Sequence, residues 1–316
     1  MYTARFSDIF SRMRTQALLS DRQISEFMAR HRLPAVFRDL IARHYSPLAT
    51  WLRNIQKPGG VLFVGVNGAQ GTGKSTLADY LRLALESAAG WRVAVLSIDD
   101  FYLTKLERQR LAEQIHPLLA TRGVPGTHNM QMLASTIEQL RTLAVTESLA
   151  IPRFDKAIDD RAASNNWPIL SGPIDMILLE GWCVGTTNQQ DCELTQPVNS
   201  LEEREDASGS WRHYVNTQLK QAYAELFAQL DALIFLRAPG FGAIRRWRME
   251  QEEKLAESLS GSAEGVMSAD QILVFIQHYE RLTRWNLEIL PSSAEVVLEL
   301  NENHDCVRSS YSTVVS

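Results

Sequence analysis

Short, continuous apolar runs recur along the chain, separated by stretches in which apolar positions return every three or four residues. The runs are VLFVGV at 61–66, RVAVLSI at 92–98, MILLE at 176–180, ALIFL at 232–236 and EVVLEL at 295–300. Runs without polar alternation fit strands buried on both faces. The segments from 75 to about 88 and from about 130 to 143 carry helical periodicity instead. Strands alternating with helices predict an α/β fold with a doubly wound parallel sheet, helices covering both faces.

The first 58 residues read differently, as helices alone. Ser20 or Asp21 can cap a helix whose apolar positions Ile24, Phe27 and Met28 share a face. A second helix is expected from about Pro34, with Val36, Phe37, Leu40, Ile41, Leu48, Trp51 and Leu52 on one side and KPGG at 57–60 as its stop. The chain therefore divides into an N-terminal helical extension (1–58) and a main domain (59–316). Within the main domain, 186–210 reads as a polar surface insertion, 258–268 as a flexible connector and 303–316 as a polar tail.

Composition narrows the class. A chain of 316 residues with 45% hydrophobic and 22% charged residues is ordinary for a globular protein. Its net charge of −5 argues against nucleic acid as partner, because phosphate backbones require a basic footprint. No apolar run reaches the length of about 20 residues that spans a membrane, and the N-terminus lacks an apolar signal core. Three scattered cysteines, Cys183, Cys192 and Cys306, make neither a disulfide framework nor a zinc pattern. The expected setting is the cytoplasm. Nothing in the pattern sets an oligomeric state.

The loop after the first run carries the chemistry. Gly68, Ala69, Gln70, Gly71, Thr72, Gly73, Lys74 and Ser75, followed by Thr76, form G-x-x-x-x-G-K-S between a predicted strand and a predicted helix. Glycines let backbone N–H groups converge on phosphate oxygens, and the helix turns its positive end toward them. Lys74 then reaches the β- and γ-phosphates, and the Ser75 hydroxyl sits on Mg²⁺. A nucleoside triphosphate with Mg²⁺ is the expected ligand.

Two carboxylates end neighbouring runs, where ligands of open α/β sheets bind. Glu180 closes MILLE and can hold Mg²⁺ or its water. Asp99 closes RVAVLSI, with Asp100 beside it. A carboxylate near the γ-phosphate can accept the proton of an attacking hydroxyl. Arg122 and His128 lie in RGVPGTH at 122–128, and Arg153, Lys156 and Arg161 in PRFDKAIDDR at 152–161. Both segments read as loops, and such a cluster suits a small anionic or hydroxylated acceptor. After the fourth run, PGFG at 239–242 permits a hinge, and Arg245, Arg246 and Arg248 begin a helix that could close over the phosphates. There is no N-K-x-D guanine-reading motif and no L-S-G-G-Q signature.

With these residues in view, the chain resembles the D-glycerate 3-kinase-like branch of the P-loop kinases, related to phosphoribulokinase, uridine kinase and bacterial pantothenate kinase. The resemblance rests on GVNGAQGTGKSTL (65–77), SIDDFYLT (97–104), RGVPGTHN (122–129), IPRFDKAIDDR (151–161), WPILSGPIDMILLEGWCVG (167–185) and RRWRMEQE (245–252). It covers roughly residues 60–300, and SIDDFYLT with LLEGW makes it specific to this branch. It implies a P-loop NTPase fold with ATP as co-substrate. It also implies that Asp99 rather than Asp100 is the base, that Glu180 is the metal acid and that Arg248 is the lid arginine. Tyr102, Arg122, His128, Arg153, Asp155, Lys156 and Arg161 fall in segments implied to face the acceptor.

The preferred reaction is transfer of the ATP γ-phosphoryl group to D-glycerate. A kinase for pantothenate, a nucleoside or a sugar phosphate is the near alternative. A nucleotide-binding regulatory protein with incidental ATPase activity is the distant one. Adenine is expected near residues 301–304.

Overall fold

A computed structural model describes residues 18–258 and 268–312. Its main sheet has six strands in the order β10-β9-β8-β1-β7-β2. These are β1 (Leu62–Gly68), β2 (Val93–Ser97), β7 (Met176–Gly181), β8 (Ala232–Arg237), β9 (Val296–Leu300) and β10 (Cys306–Tyr311). All neighbours run parallel except β9 and β10. Two small ribbons, β3 (Ser148–Ala150) with β6 (Ile169–Ser171) and β4 (Phe154–Asp155) with β5 (Asp160–Arg161), stand apart from it.

The apolar runs become strands because both of their faces are covered. Alternate residues point into two separate cores. Val64, Val66, Leu178, Ile234 and Val296 face one; Phe63, Leu96, Ile177, Leu179, Phe235 and Val297 face the other. The first core is closed by the helix Lys74–Ala89, through Leu77 and Leu81, and by Phe27, Ile41, Leu48 and Leu52 of the N-terminal helices. The second is closed by Met130–Thr142, Ser210–Gln218 and the long helix Ala269–Ser293. Among the described residues no helix is long and apolar enough to cross a membrane.

Ser20 caps the helix Asp21–Arg30 in a reciprocal box with Gln23. The second N-terminal helix is not continuous. Phe37–Leu40 opens into a wide π turn, Ile41–Tyr45, before Ser46–Ile55. Val36 lies outside the buried stripe at 63% exposure.

Two polar segments are more ordered than their composition implies. Residues 303–316 were expected as a tail, yet Cys306–Tyr311 adds an antiparallel edge strand. Its outward face stays hydrated while Cys306 is buried, and Tyr311 packs on Trp51 at 5.8 Å between ring centres. The insertion contains a turn of helix at Asp191–Leu194 and the helix Ser200–Glu205, with Leu194, Leu201, Glu202 and Asp206 buried. Arg281 of the long helix holds it. Its guanidinium donates to both oxygens of Glu202 (2.8 and 2.6 Å) and to the carbonyls of Glu193 and Gln196 (2.8 and 2.6 Å). A buried ion pair, rather than an apolar stripe, orders this segment. The connector expected over 258–268 falls, apart from its two ends, outside the described residues.

Candidate active site

Gly68 ends β1 in the sheet interior, and the chain turns through half-buried Ala69 and Gln70 into the helix. Thr72 closes the turn, its hydroxyl donating to the Ala69 carbonyl at 2.8 Å. Gly71 has φ +83°, and a Cβ there would stand 2.7 Å from Trp247 Cβ, so only glycine fits. Gly73 begins the helix with φ +84° and no side-chain cap. The first-turn N–H groups therefore meet no capping oxygen, as an anion site requires. Lys74 is half-buried, Ser75 exposed and Thr76 half-buried on that first turn.

Strand register brings the acids beside this loop. Glu180 on β7 is level with Val66 of β1 on one side and Ser97 of β2 on the other. It is buried, accepts from the Ser75 hydroxyl at 3.3 Å and lies 4.0 Å from Lys74 Nζ. Its Oε2 is buried without a hydrogen-bond partner among the described residues. A hydroxyl, an unsatisfied carboxylate oxygen and no nitrogen or sulfur donor make a hard-ion set. The pair thus fits Mg²⁺.

Asp99 and Asp100 follow β2 in a tight turn, Ile98–Phe101, and their side chains diverge. Tyr102 donates its hydroxyl to Asp99 Oδ1 (2.9 Å) and Lys156 its ammonium to Oδ2 (2.8 Å). Burial raises the Asp99 pKa, but Lys156 and then Lys74 outweigh it and bring the carboxyl down to about 2. Asp100 instead anchors the next loop. It pairs with Arg153 and accepts from the Phe154 N–H at 3.2 Å, and its burial leaves its pKa above the ordinary value.

The remaining residues of the loops 122–129 and 152–161 gather around this point in distinct ways. Residues 101–103 run antiparallel to 127–129, and the His128 ring stacks on Tyr102 with centres 4.5 Å apart. His128 is buried, which lowers its pKa to about 4, and its Nδ1 lies 2.7 Å from the Tyr223 hydroxyl. Arg161 donates to the Tyr102 carbonyl at 3.3 Å, while its Nε is buried without a partner among the described residues. Arg122 pairs with Asp159, which buried Arg108 also holds at 2.9 Å. Asp155 is exposed and holds a turn by accepting from Ala157 N–H at 2.9 Å. The structure thus brings Asp99, Tyr102, His128 and Lys156 into one cluster and engages Arg122 and Arg153 in internal ion pairs.

On the far side of the phosphate loop, the helix Phe241–Ser258 packs Trp247 against Gly71. Arg248 pairs with Glu252 at 2.6 Å and Arg246 with Glu302, whereas Arg245 is exposed. The turn after β9 rests on the same loop: His304 lies 3.0 Å from the Gly71 carbonyl and stacks on Trp247 at 4.3 Å. Tyr223, Trp247 and Tyr279 also pack around the site without any signal of it in the sequence pattern. Tyr279 is buried with its hydroxyl donating to the Arg122 carbonyl at 3.3 Å. A tyrosine on an apolar helix face reads as core, and only its hydroxyl partner tells otherwise.

A glycine loop between a buried strand and a helix, with acids at the two neighbouring strand ends, defines a P-loop kinase. No family model matches the chain. It is 31% identical over 238 residues to the uncharacterized kinase mug58 of Schizosaccharomyces pombe, covering 72% of this chain and 82% of that protein. It is 29% identical over 228 residues to the chloroplastic D-glycerate 3-kinase of Arabidopsis thaliana, covering 69% of this chain and 46% of that protein, less than half its length. The solved D-glycerate 3-kinase of Cryptococcus neoformans superposes with a TM-score of 0.69 at 24% identity, over 85% of this chain and 96% of that one. The chain belongs to the D-glycerate 3-kinase-like branch of the P-loop kinases and is an ATP-dependent phosphotransferase.

Proposed function

We propose that this chain transfers the γ-phosphoryl group of ATP to a hydroxyl of D-glycerate, giving 3-phosphoglycerate. The observation that carries transfer, rather than simple nucleotide binding, is the alignment of three strand ends. The phosphate loop, Glu180 and the Asp99 turn stand side by side on β1, β7 and β2. Two relatives named as D-glycerate 3-kinases support the acceptor. So does the basic loop at 152–161, which sets Lys156 on Asp99 in a protein of net charge −5.

In this reading the backbone from Gly68 to Thr76 binds the phosphates and Lys74 neutralises their charge. Ser75 and Glu180 would hold Mg²⁺, which would supply positive charge against the transferring phosphates. Asp99 receives the hydroxyl proton. With a pKa lowered to about 2 it is ionised at neutral pH but a weak base. Its main task is therefore to orient the hydroxyl and take the proton late, which a loose phosphoryl-transfer transition state permits. Lys156, Tyr102, His128 and Arg161 face the acceptor, and Arg122, Arg153 and Asp155 shape its loops. Arg248, paired with Glu252 here, is the lid arginine that would engage the transferred phosphoryl group. Three free thiols, two of them buried, fit a reducing cytoplasm.

ADP release against a panel of acceptors tests this. D-glycerate should give saturable, strong stimulation; L-glycerate, pantothenate, uridine and sugar phosphates should not. Stimulation by another panel member alone would remove glycerate and keep the kinase. Nucleotide binding with no stimulation by any acceptor would remove transfer itself.

A further inference from the structure

We propose that Tyr223 holds His128 as the Nε2–H tautomer, so that a neutral imidazole N–H beside Asp99 is offered to a carboxylate oxygen of the acceptor. This rests on the acceptor site proposed above and adds a positioning residue to it.

Tyr223 closes a π turn, Leu219–Tyr223, in which Gln221 leaves helical geometry (φ −104°, ψ −116°). Such turns re-aim side chains, often at functional sites. The re-aimed hydroxyl is fully buried and meets two groups: Gly126 N–H at 2.9 Å and His128 Nδ1 at 2.7 Å. Because the oxygen already accepts from Gly126, two arrangements remain. If Tyr223 O–H donates to Nδ1, the hydroxyl is satisfied and only His128 Nε2–H is left over. If Nδ1–H donates to the hydroxyl, the tyrosine proton and the Nε2 lone pair are both left over. Nε2 has no partner among the described residues and His128 is 4% exposed, so each leftover group is costly. The first arrangement leaves one unsatisfied group instead of two, and that one is a donor.

Two features point the donor at an anionic ligand. The ring stacks on Tyr102, whose hydroxyl is on Asp99, so Nε2–H belongs to the cluster around the base. Arg161, whose terminal nitrogen donates to the Tyr102 carbonyl, keeps its Nε buried without a partner among the described residues. Burial keeps the imidazole neutral, which has its own consequence. An imidazolium would pair with Asp99 and compete with the acceptor hydroxyl for that carboxylate; a neutral N–H donates to the acceptor and leaves Asp99 free.

The test begins with long-range ¹H–¹⁵N correlation spectra of the free enzyme labelled at histidine, which need no acceptor. His128 should show a protonated Nε2 and an unprotonated Nδ1 near neutral pH. In Tyr223→Phe, shown to be folded by circular dichroism, the two nitrogens should move toward averaged shifts. KM for D-glycerate should rise roughly tenfold while KM for ATP stays within about twofold, the mark of lost acceptor positioning. His128→Gln, which keeps an amide donor near Nε2, should retain more glycerate affinity than His128→Phe. An Nδ1–H or imidazolium His128 in the wild type overturns the proposal. So does a folded Tyr223→Phe with an unchanged KM for D-glycerate. A failed acceptor panel would remove the kinase reading without touching the tautomer result, so the two fail separately.

Discussion

Lys156 donates a 2.8 Å hydrogen bond to Asp99 from 57 residues further along the chain. The carboxylate at the end of β2 is therefore already held by a charge from the loop proposed to face the acceptor. Entry of the acceptor hydroxyl must displace or share that ammonium.

Asp99→Asn should lower kcat by about 10²–10⁴, the usual contribution of a general base, with ATP affinity unchanged. Lys156→Met should let the Asp99 pKa rise from about 2 toward the ordinary carboxylate range. The acidic limb of the kcat/KM profile should then move to higher pH. Rate profiles of both variants decide; near-wild-type turnover in Asp99→Asn would reassign the base.

Glu180→Gln should raise the Mg²⁺ concentration for half-maximal rate by about 10–100-fold, the scale seen when support for a bound metal is lost. An Mg²⁺ titration at saturating ATP reads this directly. An unshifted curve would detach Glu180 from the metal.

Gly71→Ala places a methyl group 2.7 Å from Trp247 Cβ on a backbone at φ +83°. The strain should cost about 1–3 kcal/mol and weaken ATP binding. Thermal unfolding with and without ATP separates the two effects.

Arg281→Met leaves Glu202 buried and unpaired, and should destabilise by about 3–5 kcal/mol. Adding Glu202→Gln should recover part of that, since a neutral amide is easier to bury. Urea denaturation of the single and double variants tests the pair.

His128 gives a pH dependence whose sign follows from its lowered pKa. Its neighbours are Asp99, Tyr102 and Tyr223. An unfolded histidine takes a proton near pH 6.5 and the folded one only near 4, so the unfolded chain binds more protons between these values. The stability contributed by neutral His128 is complete above pH 6.5 and declines as pH falls toward 4, by up to ~3 kcal/mol. His128→Gln cannot titrate, and its stability should fall less steeply across that window.

The chain disclosed what rests on period and spacing. Five buried runs became five strands, and GAQGTGKS became the turn between β1 and its helix. A run buried on both faces has one reading, and a strand end has one place in such a sheet. Polar order was hidden. Cys306–Tyr311 pairs through its backbone, which leaves little apolar trace. The insertion is held by Arg281 and Glu202, 79 residues apart, and no local pattern reveals that pairing. Tyr223 is silent for the same reason: its role comes from a π turn and a hydroxyl partner, while its letter says only core.

The turn between β9 and β10 carries His304 onto Gly71 and Trp247. Possession of GAQGTGKS is therefore a poor guide to competence in a shortened version of this enzyme. A polypeptide ended at residue 300 would keep every letter of the phosphate motif. It would lose the weight resting on the motif, and a gene fragment trimmed at that seemingly dispensable end should yield a slacker nucleotide cradle.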